Sequence, residues 1–312
     1  MRGFVIRALA FAAIQLGVAG FFLTKPDPEG YTASVRDKHA RAAATPAPRI
    51  LVVGGCNVAF SVDSARLKEA LGVPAINLGL LAGVGPEFML REAADVARPG
   101  DTVVLSLEYG LYYHSWFNSA SFDSTWSVLS ERPESRAYVA WPATVKTTLD
   151  QGLNILGHRT RLAGLLTFNL WRSGSPYNRV SFNEWGDVAA HRGLPSQPVP
   201  AKWLTLDRPF GEEDRPFIRR LARFDEECRP RGIRVCLFYP AVPRKSYELH
   251  REKIEGLDAL LRSSPPTAIL NRPAEVAYPD DCFYDSAYHQ SGKGVILHTD
   301  HLIERLKLFL KK

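Results

Sequence analysis

Short apolar runs punctuate the chain from Arg49 onward, and amphipathic stretches separate them. RILVVGG closes on two glycines and predicts a buried strand. A helix is expected around Asp63 to Leu71, a second strand in VPAINLG, a helix over Pro86 to Ala97 and a third strand in DTVVLSLEY. Between Asp214 and Arg229, residues Phe217, Leu221, Phe224 and Cys228 recur at spacings of four, three and four, one face of a helix. GIRVCLFYP then reads as a strand, and from about Lys293 to the end Val295, Leu302, Leu306 and Phe309 share one side of a last helix. This alternation predicts an α/β fold, with a parallel sheet between helical layers and right-handed crossovers.

Two regions depart from that rhythm. From about 110 to 204 the chain is dense in aromatics (Tyr112, Tyr113, Trp116, Phe117, Trp126, Trp141, Trp171, Trp185) and poor in strand patterns. It is expected to be a large helical and looped insertion over one end of the sheet, a common way to shape an active-site mouth. Taken singly, most of these aromatics also fit a small core of the insertion itself. The other departure is the N-terminus. Arg2 and Arg7 precede an apolar run from Ala8 to Leu23 that is broken only by Gln15 and glycines. Counted from Gly3, about 21 residues would span ~30 Å as a helix, enough for a bilayer core.

Residues 1–24 are therefore read as a transmembrane anchor or a secretory signal. The anchor fits better, because Phe21, Phe22 and Leu23 stand where a small-residue cleavage site belongs. Either way the early arginines place the rest of the chain outside the cytoplasm. The expectation is a single-pass protein of the inner or cytoplasmic membrane, its domain facing the periplasm or the exterior. Residues 25–48 are rich in Pro, Ala and charge without apolar periodicity. They are expected to be a linker or stalk, with room for one short helix, ahead of the main domain at 49–312. The formal charge of +6 is spread without a Lys/Arg block, so no nucleic-acid partner is expected.

In an open parallel sheet, ligands bind beyond the carboxyl ends of the strands. The first strand ends in Gly54-Gly55-Cys56-Asn57, the second in Asn77-Leu78-Gly79, and Phe283-Tyr284-Asp285-Ser286-Ala287-Tyr288-His289 precedes the last helix. Each is a weak signal alone, since Gly-Gly is ordinary turn chemistry and a Cys is most often a small buried hydrophobe. In order and placement together, the set resembles the SGNH hydrolase family, the GDSL-type esterases and acyltransferases. The resemblance covers roughly 49–110 and 205–312. It implies a three-layer α/β/α, SGNH/flavodoxin-like fold. It also implies Cys56 as nucleophile in place of the usual serine, His289 as base, Asp285 as its orienting carboxylate, and the N–H groups of Gly79 and Asn57 as an oxyanion hole.

The chain departs from the family pattern at three points. Cysteine replaces serine. Glu108 and Tyr109 stand at the end of the third strand, where a Gly-x-Asn is expected, and are read as substrate-binding. Asp285 precedes His289 by four residues instead of three. The last two features also resemble a divergent, membrane-anchored branch that modifies bacterial cell-surface polysaccharides. That likeness implies a polysaccharide substrate and a membrane-bound O-acyltransferase as partner. No cofactor motif and no metal-ligand spacing is present, and His298 and His301 read as packing residues.

Two functions follow. One is an acyltransferase or esterase acting on O-acyl groups of an exported polysaccharide through an acyl-Cys56 intermediate, with Sγ expected within ~4 Å of a His289 ring nitrogen. The other is an inactive, membrane-tethered glycan-binding or scaffolding protein on the same fold. A free, reactive Cys56 favours the first. Burial, or a disulfide such as Cys56–Cys282, favours the second, and Cys228 with Cys236 forms either a second bridge or two buried thiols. The topology is open to direct test. A reporter enzyme fused after Lys312 should be active only outside the cytoplasm, and fractionation should leave the fusion in the membrane pellet. A soluble cytoplasmic product would overturn both expectations.

Overall fold

The structure is a computed structural model that describes residues 26–117, 120–141, 175–263 and 267–311, with scattered positions between 3 and 14. Strand β1 (Ile50–Val53) is buried along its whole length, as the branched apolar run demands. It is flanked in parallel by β2 (Ala75–Asn77) and β3 (Thr102–Leu105), with Ile50 opposite both Ala75 and Thr102. β4 (Arg234–Leu237) pairs with β3, and after β5 (Val242–Pro243) the short β6 (Ala268–Ile269) closes the sheet. The order is β2-β1-β3-β4-β6, all parallel, while β5 and β7 (Ala277–Tyr278) form a separate parallel pair. The four strands expected from the sequence thus lie in one sheet. Its winding reverses between β1 and β3, the switch point at which such sheets open a crevice.

Among the described residues between 26 and 311, the α-helices are α1 (Ser34–Ala44), α2 (Cys56–Ser61), α3 (Ser64–Leu71), α4 (Pro86–Val96), α5 (His114–Phe117), α6 (Phe122–Glu131), α7 (Arg215–Cys228), α8 (Arg244–Arg262) and α9 (Gly292–Leu310). α9 packs against α2 and α3, whereas α4 packs against α1 and α7. This is an α/β arrangement compatible with a three-layer sandwich. Helix ends follow local chemistry. The Asp63 side chain accepts from Arg66 N–H at the start of α3, and Gly72, with a φ of 69°, ends that helix in the left-handed conformation. The Ser291 side chain likewise accepts from Gly294 N–H and caps α9.

The region read as a linker with room for one short helix does contain one. Residues 34–44 are a regular helix, and Val35, Lys38 and Ala42 are buried against the domain. Its buried positions lie at spacings of three and four, but one is a lysine and one an alanine, so the stripe has little hydrophobic contrast. The Lys38 amine donates to the carbonyls of Asn77 and Gly186, and burial lowers its pKa to about 7. Gly186 has a φ of 87°, and a Cβ there would press on the Asn77 carbonyl, so glycine is required where this loop passes β2.

Of the insertion expected at 110–204, residues 142–174, with Trp171, lie outside the described residues. Tyr112 and Tyr113 are buried in the main core, while Trp141 and Trp203 are exposed. Trp185 is covered by the cations of Arg41 and Lys68. No helix among the described residues is long and apolar enough to cross a membrane, and much of the expected anchor lies outside them. The described positions between 3 and 14 are helical, and Phe4, Ile6, Leu9, Phe11 and Ile14 expose their side chains.

One buried ion pair ties these parts together at the amino edge of the sheet. Arg49, immediately before β1, donates from Nε and Nη2 to Asp101, immediately before β3, at 2.6–3.2 Å. Its guanidinium also donates to the carbonyls of Ala42 in α1 and Val96 at the end of α4. Both side chains are fully buried. Removing one partner of such a pair strands the other charge, at a cost of about 3–5 kcal/mol. Asp101→Asn is expected to lose about that much stability in denaturant unfolding, and Arg49→Met with Asp101→Leu should recover most of it. A loss below about 1 kcal/mol in the single variant would show that the pair does not hold these elements together.

Candidate active site

The residues singled out after β1, after β3 and before α9 converge at the carboxyl edge of the sheet. Cys56 is the first residue of α2, partly exposed, and reached from β1 through Gly54 and Gly55. A Cβ at Gly54 would collide with the Ser106 carbonyl and Val58, and one at Gly55 with Glu108 and Ala82. The Asn57 side chain locks this turn, accepting from Gly55 N–H at 2.9 Å and donating to the Ser106 carbonyl at 2.8 Å. Across the β1/β3 switch point the Cys56 thiol donates to Glu108 Oε1 at 3.4 Å.

Burial pushes the Cys56 thiol well above its ordinary value, and the neighbouring Glu108 charge adds to the effect. Hydrogen bonds from the N–H groups of Cys56 and Ala82 oppose it. Burial also raises the pKa of Glu108, opposed by the charge of His289, the thiol hydrogen bond and Asn57 N–H. The resting sulfur is therefore held toward the neutral thiol, hydrogen-bonded to Glu108.

The segment from Phe283 to Gln290 closes on itself by a β-bridge between those two residues and by Tyr284 N–H donating to the His289 carbonyl at 2.8 Å. Ser286 Oγ accepts from the N–H groups of Tyr288 and His289, which folds Asp285 back toward the imidazole. His289 Nδ1 lies 2.8 Å from Asp285 Oδ1. Burial raises the Asp285 pKa, but hydrogen bonds from His289 and Tyr177 outweigh it and hold the carboxyl below its ordinary value. His289 Nε2 is buried and has no hydrogen-bond partner among the described residues. The ring stacks on Phe60, centroids 4.0 Å apart and planes 15° from parallel. Phe60 lies four residues after Cys56 on α2, so the ring that backs the imidazole shares a helix face with Cys56.

This geometry joins some of the expected residues and separates others. Cys56 and Glu108 meet, and so do Asp285 and His289. The thiol hydrogen-bonds to Glu108 and not to His289. Gly79 N–H is taken by the Asn77 side chain at 2.9 Å, and Asn57 N–H faces Glu108. The amides directed at the sulfur belong to Cys56 itself and to Ala82, three residues past Gly79. Tyr109, read as substrate-binding, is fully buried and stacked on Tyr239 at 6.0 Å, away from the site. Tyr288 comes closer instead. Its hydroxyl accepts from Tyr109 N–H at 3.0 Å, beside Glu108.

Three contributors went unread in the sequence: Ala82, Phe60 and Tyr177. Phe60 alone left a signal, as an aromatic one helical turn from the candidate nucleophile. All four cysteines are free thiols, so neither bridge considered above is present.

The carboxylate sets the thiol's reactivity, with a definite sign. Glu108→Gln removes a negative charge that disfavours thiolate, so iodoacetamide should label Cys56 faster at pH 7–8 than in the parent. The pH at half-maximal rate should move down, and peptide mass mapping would follow it. An unchanged profile would mean that Glu108 does not control the sulfur.

No protein-family model, no curated protein and no solved structure matches the chain.

Proposed function

We propose that the protein is an extracytoplasmic, SGNH-like acyltransferase or esterase that acts on O-acyl groups of an exported polysaccharide through an acyl-Cys56 intermediate. The observation that carries this reading is the state of His289. Its Nδ1 is held by a carboxylate, its Nε2 is buried and unpartnered among the described residues, and its ring stacks on Phe60, one helical turn from the free Cys56. An imidazole so arranged is the base of nucleophilic acyl transfer. A glycan-binding protein has no need of an unsatisfied buried nitrogen beside a thiol.

In this reading Cys56 Sγ attacks the acyl carbonyl carbon as the thiol proton passes to His289 Nε2. Asp285 stabilises the imidazolium at Nδ1, and the Glu108 carboxylate stabilises it from the thiol side. The N–H groups of Cys56 and Ala82 receive the oxyanion, each such donor contributing on the order of 3 kcal/mol. The leaving alcohol takes the proton from Nε2 and departs, leaving a thioester. A sugar hydroxyl or water then attacks the thioester, gives its proton to Nε2, and the thiol is restored. Because the resting thiol is neutral, deprotonation belongs to the attack itself, as in a serine enzyme.

A cleft of about 310 Å³ leads to these atoms, lined by Ala82, Glu108, Tyr113, Trp203 and Asp207 among others. Trp203 is 53% exposed beside it and offers an aromatic face to a sugar ring. The fold is read as three-layer α/β/α of SGNH/flavodoxin type, with the insertion forming the cleft wall. Residues 1–24 are read as a membrane anchor, in keeping with the exposed apolar side chains between Phe4 and Ile14. A membrane-bound O-acyltransferase is the proposed donor of acyl groups.

Intact-mass measurement after exposure to an activated acetyl ester tests the reaction. One acetyl group should appear on Cys56 and turn over on adding an acceptor. Cys56→Ala should abolish labelling, Cys56→Ser should retain acyl transfer, and His289→Ala should slow it by two to four orders of magnitude, roughly the share of a general base. If all four proteins are equally inert while glycan binding persists, the binding-module reading replaces this one.

A further inference from the structure

Tyr177 lies beyond the strand framework, yet its hydroxyl completes the dyad. It donates to Asp285 Oδ2 at 2.6 Å, and its oxygen sits 3.0 Å from His289 Nδ1. Each oxygen of Asp285 thus has its own partner, His289 at Oδ1 and Tyr177 at Oδ2. A carboxylate tethered at one oxygen can swing about its Cα–Cβ bond, whereas one tethered at both cannot, and the imidazole follows it. The Tyr177 ring also packs on Phe60 at 5.4 Å, the same ring that supports His289.

Tyr177 is 45% exposed, so burial alone does not hold it. The residues that do hold its segment come from the chain just after the expected anchor. Gly30 and Asn178 form an antiparallel bridge, and Arg179 N–H donates to the Glu29 carbonyl at 2.9 Å. The Arg179 guanidinium forks onto Asp37 at 2.7 and 2.8 Å and reaches the Pro28 carbonyl at 3.3 Å. A bidentate pair of this kind fixes direction as well as distance. Tyr31 packs against both Tyr177 and Phe182, with its hydroxyl anchored on the Leu80 carbonyl at 3.1 Å. Lys38 secures the far end of the segment through the Gly186 carbonyl.

We propose that Tyr177 is a positioning residue for the His289–Asp285 pair, and that residues 27–38 act as a strap that holds it over the site. The segment next to the anchor is then part of the active-site architecture and not a passive tether. The proposal rests on His289 being the base, but its first readout is the imidazole itself and does not require turnover.

The test uses the full chain labelled with ¹⁵N-histidine, observing which ring nitrogen of His289 carries the proton. The parent should hold the proton on Nδ1 alone. Tyr177→Phe, which removes only the hydroxyl, should yield a mixture of tautomers and slow acylation of Cys56 by the activated ester by tenfold or more, the cost of a loosened reacting group. Arg179→Ala, at a partly exposed ion pair, should move both readouts in the same direction with the thermal midpoint unchanged, and Arg179→Lys should restore them in part. If Tyr177→Phe keeps the proton on Nδ1 alone, the positioning role is wrong. If only Arg179→Ala leaves His289 unmoved, the strap is wrong. Absence of acylation in every form would remove the acyl-transfer reading, while the tautomer measurement would still decide the role of Tyr177.

Discussion

The parallel pairing of β1 with β3 is the constraint on which the site depends. These neighbours leave the sheet on opposite sides of its switch point, so their carboxyl ends deliver Cys56 and Glu108 to the two lips of one crevice. The approach is close enough that Gly54 and Gly55 have no room for side chains. At the opposite edge, the Arg49–Asp101 pair ties the starts of the same two strands and collects the ends of α1 and α4. A one-residue slip between the strands would turn the residues of one of them to the other face of the sheet.

Within that frame, two buried polar systems stand side by side and differ in character. Asp285 is held ionised by hydrogen bonds from His289 and Tyr177, a fully partnered carboxylate that orients an imidazole. Glu108 is drawn toward the neutral form by burial and partnered by a weak thiol donor. Charge on His289 favours ionised Glu108, and ionised Glu108 disfavours thiolate. Burial pushes the thiol and Glu108 in the same direction, each toward its neutral form.

The support for this cluster comes from unusually distant parts of the chain. Phe60 on α2 backs the imidazole, the 283–290 segment folds Asp285 onto it, and Tyr177 reaches in from the region after residue 174. The last contact depends in turn on α1 and the residues before it. A stretch composed like a linker is thereby joined to the carboxyl edge of the sheet through Arg179–Asp37 and Lys38.

What the sequence determined by itself was the order and type of the main elements and the places where chemistry could gather. Strands β1 to β4 and helices α3, α4, α7 and α9 were legible because apolar periodicity is local and each run ends in a local signal, such as Gly72 or Ser291. Cys56, Glu108, Asp285 and His289 were legible because strand ends in a parallel sheet are where ligands bind. Helix α1 was legible only as room for one short helix, since its buried positions, Ser34, Val35, Lys38 and Ala42, carry little hydrophobic contrast and their partners lie far away in the chain. Which amides face the sulfur, whether Tyr109 points in or out, and which group accepts the thiol hydrogen bond were decided by tertiary structure alone. Those outcomes depend on differences of a few ångströms between loops more than 20 residues apart in the chain, such as Cys56 with Ala82 or Tyr177 with His289, and no local pattern encodes them.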